Sequence, residues 1–419
     1  MVQATSAMAV TREVIELWEH LAIERQLTPG QVASLGVTKA VRVTPAAGAG
    51  RYKVKADDKV GSAVFGSGAD AVLLRIRPKV EIKRLMFLLG YAQGRGTWNE
   101  PEVDVGEADD LLPAVAGGFA RAVQRALAGG LLYGYCTVEE DLLAIRGRIR
   151  SDEMRRRYWV GPEIPCEYDT FTVDIPENQL LLTAARRLLA LPDVIPASRR
   201  LLREIVAELA DVTPLGPNED PPVWTPDVHN ARYHTALRLA DLIVRDRSYE
   251  YVDDGDGATR TVQVDGFLVG MPEVFEDFVT RAVRDALLNP PTGSVASRRV
   301  TLQDKAHYLD RARTVHLIPD LVCYEATGTD RKPVTVLDAK YMSEKDATGR
   351  GSIYQILAYC TGLDVTTGHI VYPATPTDVR HTRTLTTGIR ITFHPLELTA
   401  PIPDLRRQIT EIATNMTTV

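Results

Sequence analysis

The sequence predicts an α/β C-terminal domain, a mixed sheet flanked by helices. A mainly β N-terminal domain and a helical segment precede it. Three observations predict this. From Met271 the apolar spacing gives helix, strands, helix, strand, strand, the order of an α/β arrangement. From about residue 35 to 80 short alternating runs are separated by Gly, Ala, Asp and Pro clusters. Between these regions lie apolar positions at helical spacing. At 419 residues the chain is too long for one ordinary core, so two or three domains are expected.

The elements follow in order. The start, "MVQATSAMAVTREVIELWEH", is polar and leads into an amphipathic segment. It has no basic region ahead of an apolar core and does not read as a signal peptide. "KAVRVTP", "RYKVKA", "GSAVFG" and "AVLLRIRPKV" read as short strands joined by turns, in a small barrel or sandwich. "IKRLMFLLGYAQG" and "ADDLLPAVAGGFARAVQRALAGGLL" have helical spacing. Residues 132–175 read as strands rich in arginine. "NQLLLTAARRLLAL" and "SRRLLREIVAELA" are helices, and the proline-rich "TPLGPNEDPPVWTPD" is a loop or linker. "ARYHTALRLADLIVRD" and "MPEVFEDFVTRAVRDALL" are amphipathic helices. Residues His316 to Tyr341 hold two strands, "SIYQILAYCTGL" is a helix, "TGHIVYPA" and "GIRITFHPL" are strands, and "DLRRQITEIATNM" is helical. No internal repeat is visible.

Composition excludes several classes. With 45% hydrophobic and 25% charged residues the chain is an ordinary globular one. Its net charge of −6 argues against a basic tail protein, yet leaves room for a local nucleic-acid patch. Cys136, Cys166, Cys323 and Cys360 form no CxxC pair and have no zinc-type spacing with histidine. Scattered single cysteines fit a reducing compartment. No apolar run approaches the roughly 18 residues that cross a bilayer. A cytoplasmic protein with no membrane partner is expected. There is no GxxxxGK[ST] loop, so this chain is not expected to bind a nucleotide itself, and no GxSxG motif is present.

The informative stretch is "HLIPDLVCYEATGTDRKPVTVLDAKY". Residues i and i+2 of a strand share a side, so "LDAK" sets Asp338 and Lys340 together with Ala339 facing away. The neighbouring "VTVL" is apolar and β-branched, which makes the strand a buried one, and burying unpaired charge is costly. Asp320 lies on the preceding strand, and "EATGTDRK" can turn the chain back so that Asp320 comes beside Asp338. Two facing carboxylates repel unless a cation lies between them, and hard oxygen ligands suit Mg²⁺ or Mn²⁺. A nearby lysine can orient or deprotonate a water, or neutralise developing phosphorane charge. The bland alternative is an Asp338–Lys340 ion pair at a strand end.

The order "PD…DAK" resembles the PD-(D/E)xK nuclease superfamily. That resemblance implies a further acid on the helix before the first strand. "VFEDFV" supplies Glu276, with Glu273 and Asp277 as alternatives. It also implies a QxxxY helix, here "YQILAY" with Gln355 and Tyr359 one turn apart on one helix face. Taken together, "FEDFV", "IPDLV", "VLDAKY" and "YQILAY" are similar to the McrC family, the nuclease subunits of McrBC-type modification-dependent restriction systems. "RIRPKV", "IRGRIR", "CEYDTFTVDIPENQLLLTA" and "ARYHTALRLADLIV" resemble McrC-type segments in the same order, so the likeness covers most of the chain.

The resemblance implies Mg²⁺-dependent cleavage of DNA, in defence, alongside a hexameric McrB-like AAA+ GTPase that this chain stimulates. Asp320 and Asp338 would bind the metal with Glu276 and the backbone carbonyl of Ala339. Lys340 would position or activate water, and Gln355 and Tyr359 would support the site. Residues 1–165 would form a stalk-like partner-binding domain, 166–250 a helical connector and 251–419 the endonuclease domain. Arg146, Arg148, Arg150, Arg155, Arg156 and Arg157 would contact partner or DNA. Against that stands a plain solvated strand face with acids such as Asp152 and Glu153 beside it. Two rival functions are a stand-alone RecB-like repair nuclease and a non-catalytic nuclease-fold regulator of a AAA+ ring. The intact Asp320, Asp338 and Lys340 argue against the regulator.

Overall fold

The structure, a computed structural model, describes residues 13–91, 110–156, 161–216, 219–225, 227–245, 249–253, 259–263, 265–289, 299–325, 332–373 and 380–417. Its contacts divide the chain into two compact units. One holds residues 1–102, 250–261 and 268–419, and the other residues 103–249 and 262–267. Residues 1–102 therefore pack in the same unit as the C-terminal sheet, while the arginine-rich segment belongs to the other.

The first unit opens with strands β1 (Glu13–Trp18) and β2 (Ala22–Gln26), helix α1 (Pro29–Gly36), and strands β3 (Val41–Pro45), β4 (Arg51–Ala56), β5 (Lys59–Phe65) and β6 (Val72–Arg77), then helix α2 (Ile82–Gly90). The amphipathic start is thus a strand. Its alternation buries Ile15 and Leu17 and leaves their neighbours outside, and it lies parallel to β6. Thr28 caps α1: its hydroxyl accepts from the Gln31 amide, and the Gln31 side chain accepts from the Thr28 amide. The small-sheet expectation is met by a three-stranded antiparallel sheet, β2-β4-β3, beside a second sheet of order β1-β6-β5-β12, where β12 is Asp265–Gly270.

The second unit contains helix α3 (Leu111–Leu127), strands β7 (Gly134–Leu142) and β8 (Arg148–Ile149), short helix α4 (Ser151–Arg156), strand β9 (Ile164–Thr172), and helices α5 (Pro176–Ala190), α6 (Pro196–Glu208) and α7 (His234–Arg245). A proline opens both α5 and α6, where its missing N–H costs nothing. β9 lies between β7 and β8 in an antiparallel sheet. "SDEMRR" is helical rather than strand-like. Asp152 and Glu153 in its first turn and Arg155 and Arg156 in its last complement the helix dipole.

Strands β10 (Tyr249–Asp253) and β11 (Thr259–Gln263) pair with each other, and β12 (Asp265–Gly270) leads into helix α8 (Met271–Leu288). There follow β13 (Arg299–Leu302), β14 (His307–Tyr308), β15 (His316–Leu317), β16 (Leu321–Tyr324), β17 (Pro333–Ala339), helices α9 (Glu344–Ala347) and α10 (Arg350–Leu363), strands β18 (Thr367–Pro373), β19 (His381–Thr384) and β20 (Arg390–Leu396), and helix α11 (Ile402–Thr417). Six strands form one mixed sheet, β13-β16-β17-β18-β20-β19. β17, β18 and β20 run parallel, and β13, β16 and β19 pair antiparallel to their neighbours.

Val336, Ile370, Ile391 and Phe393 form one core with Ile356, Tyr359 and Cys360 of α10. The alternate residues Leu337, Val371 and Leu396 are equally buried and point the other way. α8 packs against β17, and α11 against α8 and β20. Each such side chain contributes about 1.5–3 kcal/mol relative to exposure, which explains the near-continuous apolar strands of a sheet covered on both faces. Among the described residues no helix is long and apolar enough to cross a membrane.

Candidate active site

The chemistry gathers at one end of β16 and β17. These strands are antiparallel, with Leu321 opposite Leu337, so one step further the register sets Asp320 opposite Asp338. Both are buried, Asp338 completely (0% exposed). The Ala339 amide donates to Asp320 Oδ2 at 2.7 Å and fixes that carboxylate against the neighbouring strand. Past the end of β17, the Lys340 amide donates to the Val371 carbonyl at 2.8 Å. Its Nζ then reaches Asp338 Oδ2 at 2.9 Å.

The electrostatics follow from this crowding. Burial, with the charges of Asp338 and Glu276 nearby, pushes the Asp320 carboxyl up to about 8, although the Ala339 amide and Lys340 oppose the shift. Burial also raises Asp338, against the favourable Lys340 ammonium. Burial alone would lower Lys340, but the Asp338 charge and hydrogen bond outweigh it and hold the ammonium above its ordinary value. At neutral pH Lys340 is a cation.

Of the three candidate acids Glu273, Glu276 and Asp277 on α8, Glu276 is the one whose charge acts on both Asp320 and Asp338. Its Oε1 accepts from Gln303 Nε2 at 3.1 Å, and the Gln303 amide donates to the Asp320 carbonyl at 3.0 Å. Gln303 thus links two of the acids. It sits just after β13 with φ +45°, a conformation few non-glycine residues adopt. Nothing in its sequence setting marks it out. Glu273 lies exposed in the first turn of α8, and Asp277 is half-buried, its carboxyl raised by burial despite Arg281.

Gln355 and Tyr359 meet on α10. Gln355 Nε2 donates to Tyr359 Oη at 2.9 Å, and that hydroxyl donates to the Ile318 carbonyl, two residues before Asp320, at 3.2 Å. Tyr359 is buried, and its hydroxyl feels the charges of Asp338, Asp320 and Lys340. The pair braces the chain that carries Asp320.

A divalent cation fits this donor set. Two adjacent buried carboxylates are both held above their ordinary pKa, chiefly by burial, and Asp338 Oδ1 is buried with no hydrogen-bond partner. Among the described residues no three Asp, Glu, His or Cys side chains already form a metal cage. The fit therefore rests on the Asp320–Asp338 pair, with the Glu276 charge nearby on α8.

The strand's other side carries a contact that sequence reasoning missed. Tyr341 alternates away from Lys340 and packs against Phe275 of α8, ring centres 5.7 Å apart. Burial raises the Tyr341 hydroxyl, as does its hydrogen bond to Glu19. Glu19 is itself fully buried just after β1, with Oε2 accepting from the Lys79 amide at 3.2 Å and Oε1 lying 3.3 Å from His20 Nε2. The only sequence signal was the acid in "WEH", and nothing local says that it is buried.

The arginines lie on the β7–β9–β8 sheet and α4 of the second unit. The Arg146 guanidinium stands 4.0 Å from the Tyr168 ring. Arg150 pairs with Glu139 at 2.8 Å and Arg155 with Asp152, while Arg148 and Arg156 are exposed. Arg157 lies outside the described residues. Gly147, between Arg146 and Arg148, has φ +67°, and a Cβ there would stand 2.3 Å from the Glu167 carbonyl oxygen, so only glycine fits this turn. On the same sheet Tyr133 and Tyr135 both lie against Phe171, ring centres 5.3 and 5.1 Å apart, and all three are exposed.

A protein family spans both the sheet that bears Asp320 and Asp338 and the arginine-bearing one. The family described as McrBC 5-methylcytosine restriction system component matches residues 54–373, more than half of the chain. The chain belongs to the McrBC family. That bears out the resemblance carried by the sequence motifs. Among solved structures, this McrBC-family chain is similar to a chain of the refined half-complex from a tetradecameric assembly of Thermococcus gammatolerans McrB AAA+ hexamers with bound McrC. The identity is 17%, the TM-score 0.56, and the match covers 96% of this chain and 100% of that one, which shows a shared fold. A second similarity is to the cryo-EM structure of the Thermococcus gammatolerans McrBC complex, with 18% identity, a TM-score of 0.39, and 66% of this chain and 89% of that one covered. No curated protein matches the chain.

Proposed function

We propose that this chain is the nuclease subunit of a McrBC-like restriction system, a Mg²⁺-dependent DNA endonuclease with a PD-(D/E)xK site. The observation that carries the reading is the buried Asp320–Asp338 pair with Lys340 on one oxygen and Asp338 Oδ1 unpartnered, inside a chain of the McrBC family. Asp320, Asp338, Glu276 and the backbone carbonyl of Ala339 hold Mg²⁺, with Mn²⁺ able to replace it. The bound ion would act as a Lewis acid on the scissile phosphate and lower the pKa of a water. Lys340, its ammonium 2.9 Å from Asp338 Oδ2, positions or activates that water and neutralises charge. Gln355 and Tyr359 keep the Ile318–Asp320 chain in register with β17.

The partner in this reading is a McrB-like AAA+ GTPase hexamer, as in the half-complex in which McrC is bound to McrB hexamers. This chain supplies no nucleotide site and stimulates the partner. The exposed Tyr133, Tyr135 and Phe171, with the neighbouring arginines, give the β7–β9–β8 sheet an aromatic and basic face suited to a protein partner.

The test is cleavage of modified duplex DNA with Mg²⁺, with and without the AAA+ partner and its nucleotide, for wild type and Asp338→Ala. Cutting only with partner and nucleotide, lost in Asp338→Ala, is the expected result. Cutting by the chain alone would make it a stand-alone nuclease. A wild type that never cuts but still stimulates the partner would make it a regulator.

A further inference from the structure

Between β13 and β16 the chain does not run straight to the Asp320 strand. It projects a hairpin, β14 paired with β15, whose two feet are Gln303 and Ile318. Both feet are tied into the site described above. Gln303 bonds Glu276 and the Asp320 carbonyl, and the Ile318 carbonyl accepts from Tyr359. Whatever the hairpin touches is therefore held close to the reacting carboxylates. From Asp320 back to Arg313 the chain reaches at most about 25 Å, and so about seven base-pair steps along a duplex.

The hairpin is rigid for its size. At its tip the Asp310 carboxylate accepts from the Thr314 amide at 2.9 Å, the Thr314 hydroxyl at 2.8 Å and the Val315 amide at 2.8 Å. Across the stem Tyr308 stacks on His316, ring centres 4.8 Å apart. At the base the Tyr324 hydroxyl of β16 donates to Asp304 at 2.6 Å and lies 2.8 Å from His307 Nε2. The other side rests on α10, where a Cβ added to Gly362 would stand 2.3 Å from Leu317 Cδ1.

Its exposed surface combines three basic heads with the aliphatic Leu309, Val315 and Ile318. Lys305, Arg311 and Arg313 are all exposed, and none forms an ion pair with a described residue. Arg313 instead lies over the Tyr308 ring at 5.8 Å, with φ +56° turning it at the tip. Some surface arginines elsewhere are matched to acids one helical turn away, as in Arg200–Glu204 at 3.1 Å, Arg245–Asp241 at 2.8 Å and Arg407–Asp404 at 3.0 Å. The hairpin's two acids, Asp304 and Asp310, are spent on holding its shape and leave the three basic heads unopposed. In a chain of net charge −6 that is a local concentration of positive charge.

We propose that this hairpin grips the sugar–phosphate backbone of the duplex beside the scissile bond through Lys305, Arg311 and Arg313. The proposal rests on the nuclease reading of Asp320 and Asp338. Phosphate contacts of this kind set where the duplex lies without reading its sequence, which suits a cutting subunit. A prebuilt turn holding the cations out costs little ordering on binding. Three clustered cations favour a polyanion, and the exposed aliphatic side chains beside them make a protein partner the alternative that the experiment separates.

The experiment uses the full chain with Arg311→Ala/Arg313→Ala, and with Arg311→Lys/Arg313→Lys as the charge-preserving control. Binding to an unmodified duplex is measured across salt concentrations with Ca²⁺ in place of Mg²⁺, so that nothing is cut. The alanine pair should weaken binding about tenfold and flatten the slope of log affinity against log salt by about two, close to one per lost phosphate contact, and the lysine pair should restore the slope. In the assembled complex with Mg²⁺, KM for DNA should rise while kcat at saturating DNA holds. An unchanged affinity and slope would overturn the proposal. So would normal DNA binding with lost stimulation of the AAA+ partner, which would make the hairpin a protein-docking element. Asp338→Ala, run alongside, separates the two readings: if it cuts DNA the nuclease site is misassigned, whereas the salt slope judges the hairpin alone.

Discussion

In the six-stranded sheet two carboxylates, an ammonium and two imidazoles sit where little or no water reaches. In the β7–β9–β8 sheet two tyrosines and a phenylalanine lie where it does: Tyr135 is 77% exposed and Phe171 60%. Each arrangement runs against the solubility of its side chains. Burying Asp338 completely with one oxygen unpartnered raises the energy of the folded state, and so does leaving a stacked aromatic cluster in water. A fold keeps such features when something outside the chain relieves them. For the buried carboxylates the natural relief is a cation, and for the exposed rings a partner surface. The two sheets thus point to two occupants of different chemistry, which is what a nuclease subunit driven by a separate motor would need.

The comparison breaks most sharply at Asp338. Removing it should lower Mg²⁺-dependent cleavage on the order of 10³-fold, about 4 kcal/mol of transition-state stabilisation. Stimulation of the partner's nucleotide hydrolysis by the same variant should stay at the wild-type level. Loss of both activities together would mean that the two sheets do not divide the work in this way. The reciprocal change is Tyr135→Ser with Phe171→Ser. It should weaken partner binding by about 2 kcal/mol, as loss of an aromatic hot spot does. Because both rings are exposed, the melting temperature should barely move. Titration of the partner against the variant, read by its hydrolysis rate, checks this.

A smaller effect is expected at Tyr341. Its hydroxyl supplies a hydrogen bond to the fully buried Glu19, and Tyr341→Phe removes that donor from a carboxylate that also accepts from the Lys79 amide and lies beside His20. A buried acceptor that loses a donor costs about 1–3 kcal/mol, read as an earlier denaturation midpoint. A midpoint equal to wild type would show that the Glu19 contact carries no stability.

Much of the six-stranded sheet was legible because its signals are local. Alternation and continuous β-branched runs mark buried strands, and an aspartate within "VTVLDAK" contradicts its surroundings enough to be noticed. The contributions of Gln303 and Glu19 were not legible. Gln303 acts through a backbone conformation and a partner 27 residues earlier in the chain, and Glu19 through packing against a strand more than 300 residues later. Residues of this kind carry no local contradiction until the chain is folded. The basic segment was legible as arginine-rich, but its division into strand, glycine turn and a short helix depended on the turn at Gly147, whose φ no neighbouring residue announces.

The smallest expected effect distinguishes the two kinds of buried titratable group within the large sheet. Asp320 has a folded pKa of about 8 against about 4 in the unfolded chain, so the native state holds the extra proton between those values. Its contribution to stability is therefore fully present below about pH 4 and is lost as pH rises towards about 8. His369 and His394, paired through Nδ1 and Nε2 at 2.9 Å on β18 and β20, behave oppositely. Burial, with the Arg390 charge, lowers His369 to about 4, and burial, with the His369 and Arg380 charges, lowers His394 well below its ordinary value. Their contribution is present above about pH 6.5 and is lost as pH falls towards about 4. Without divalent cation, Asp320→Asn should reduce the alkaline loss, raising stability near pH 8 by on the order of 1 kcal/mol, and leave the acid loss untouched. Adding Ca²⁺ should stabilise wild type at pH 8 and do less for the variant, because the ligand charge is gone. Denaturation midpoints across pH, with and without Ca²⁺, check both halves. An alkaline slope as steep in Asp320→Asn as in wild type would place the repulsion elsewhere and leave Asp338, with Lys340 beside it, as an ion pair without need of a metal.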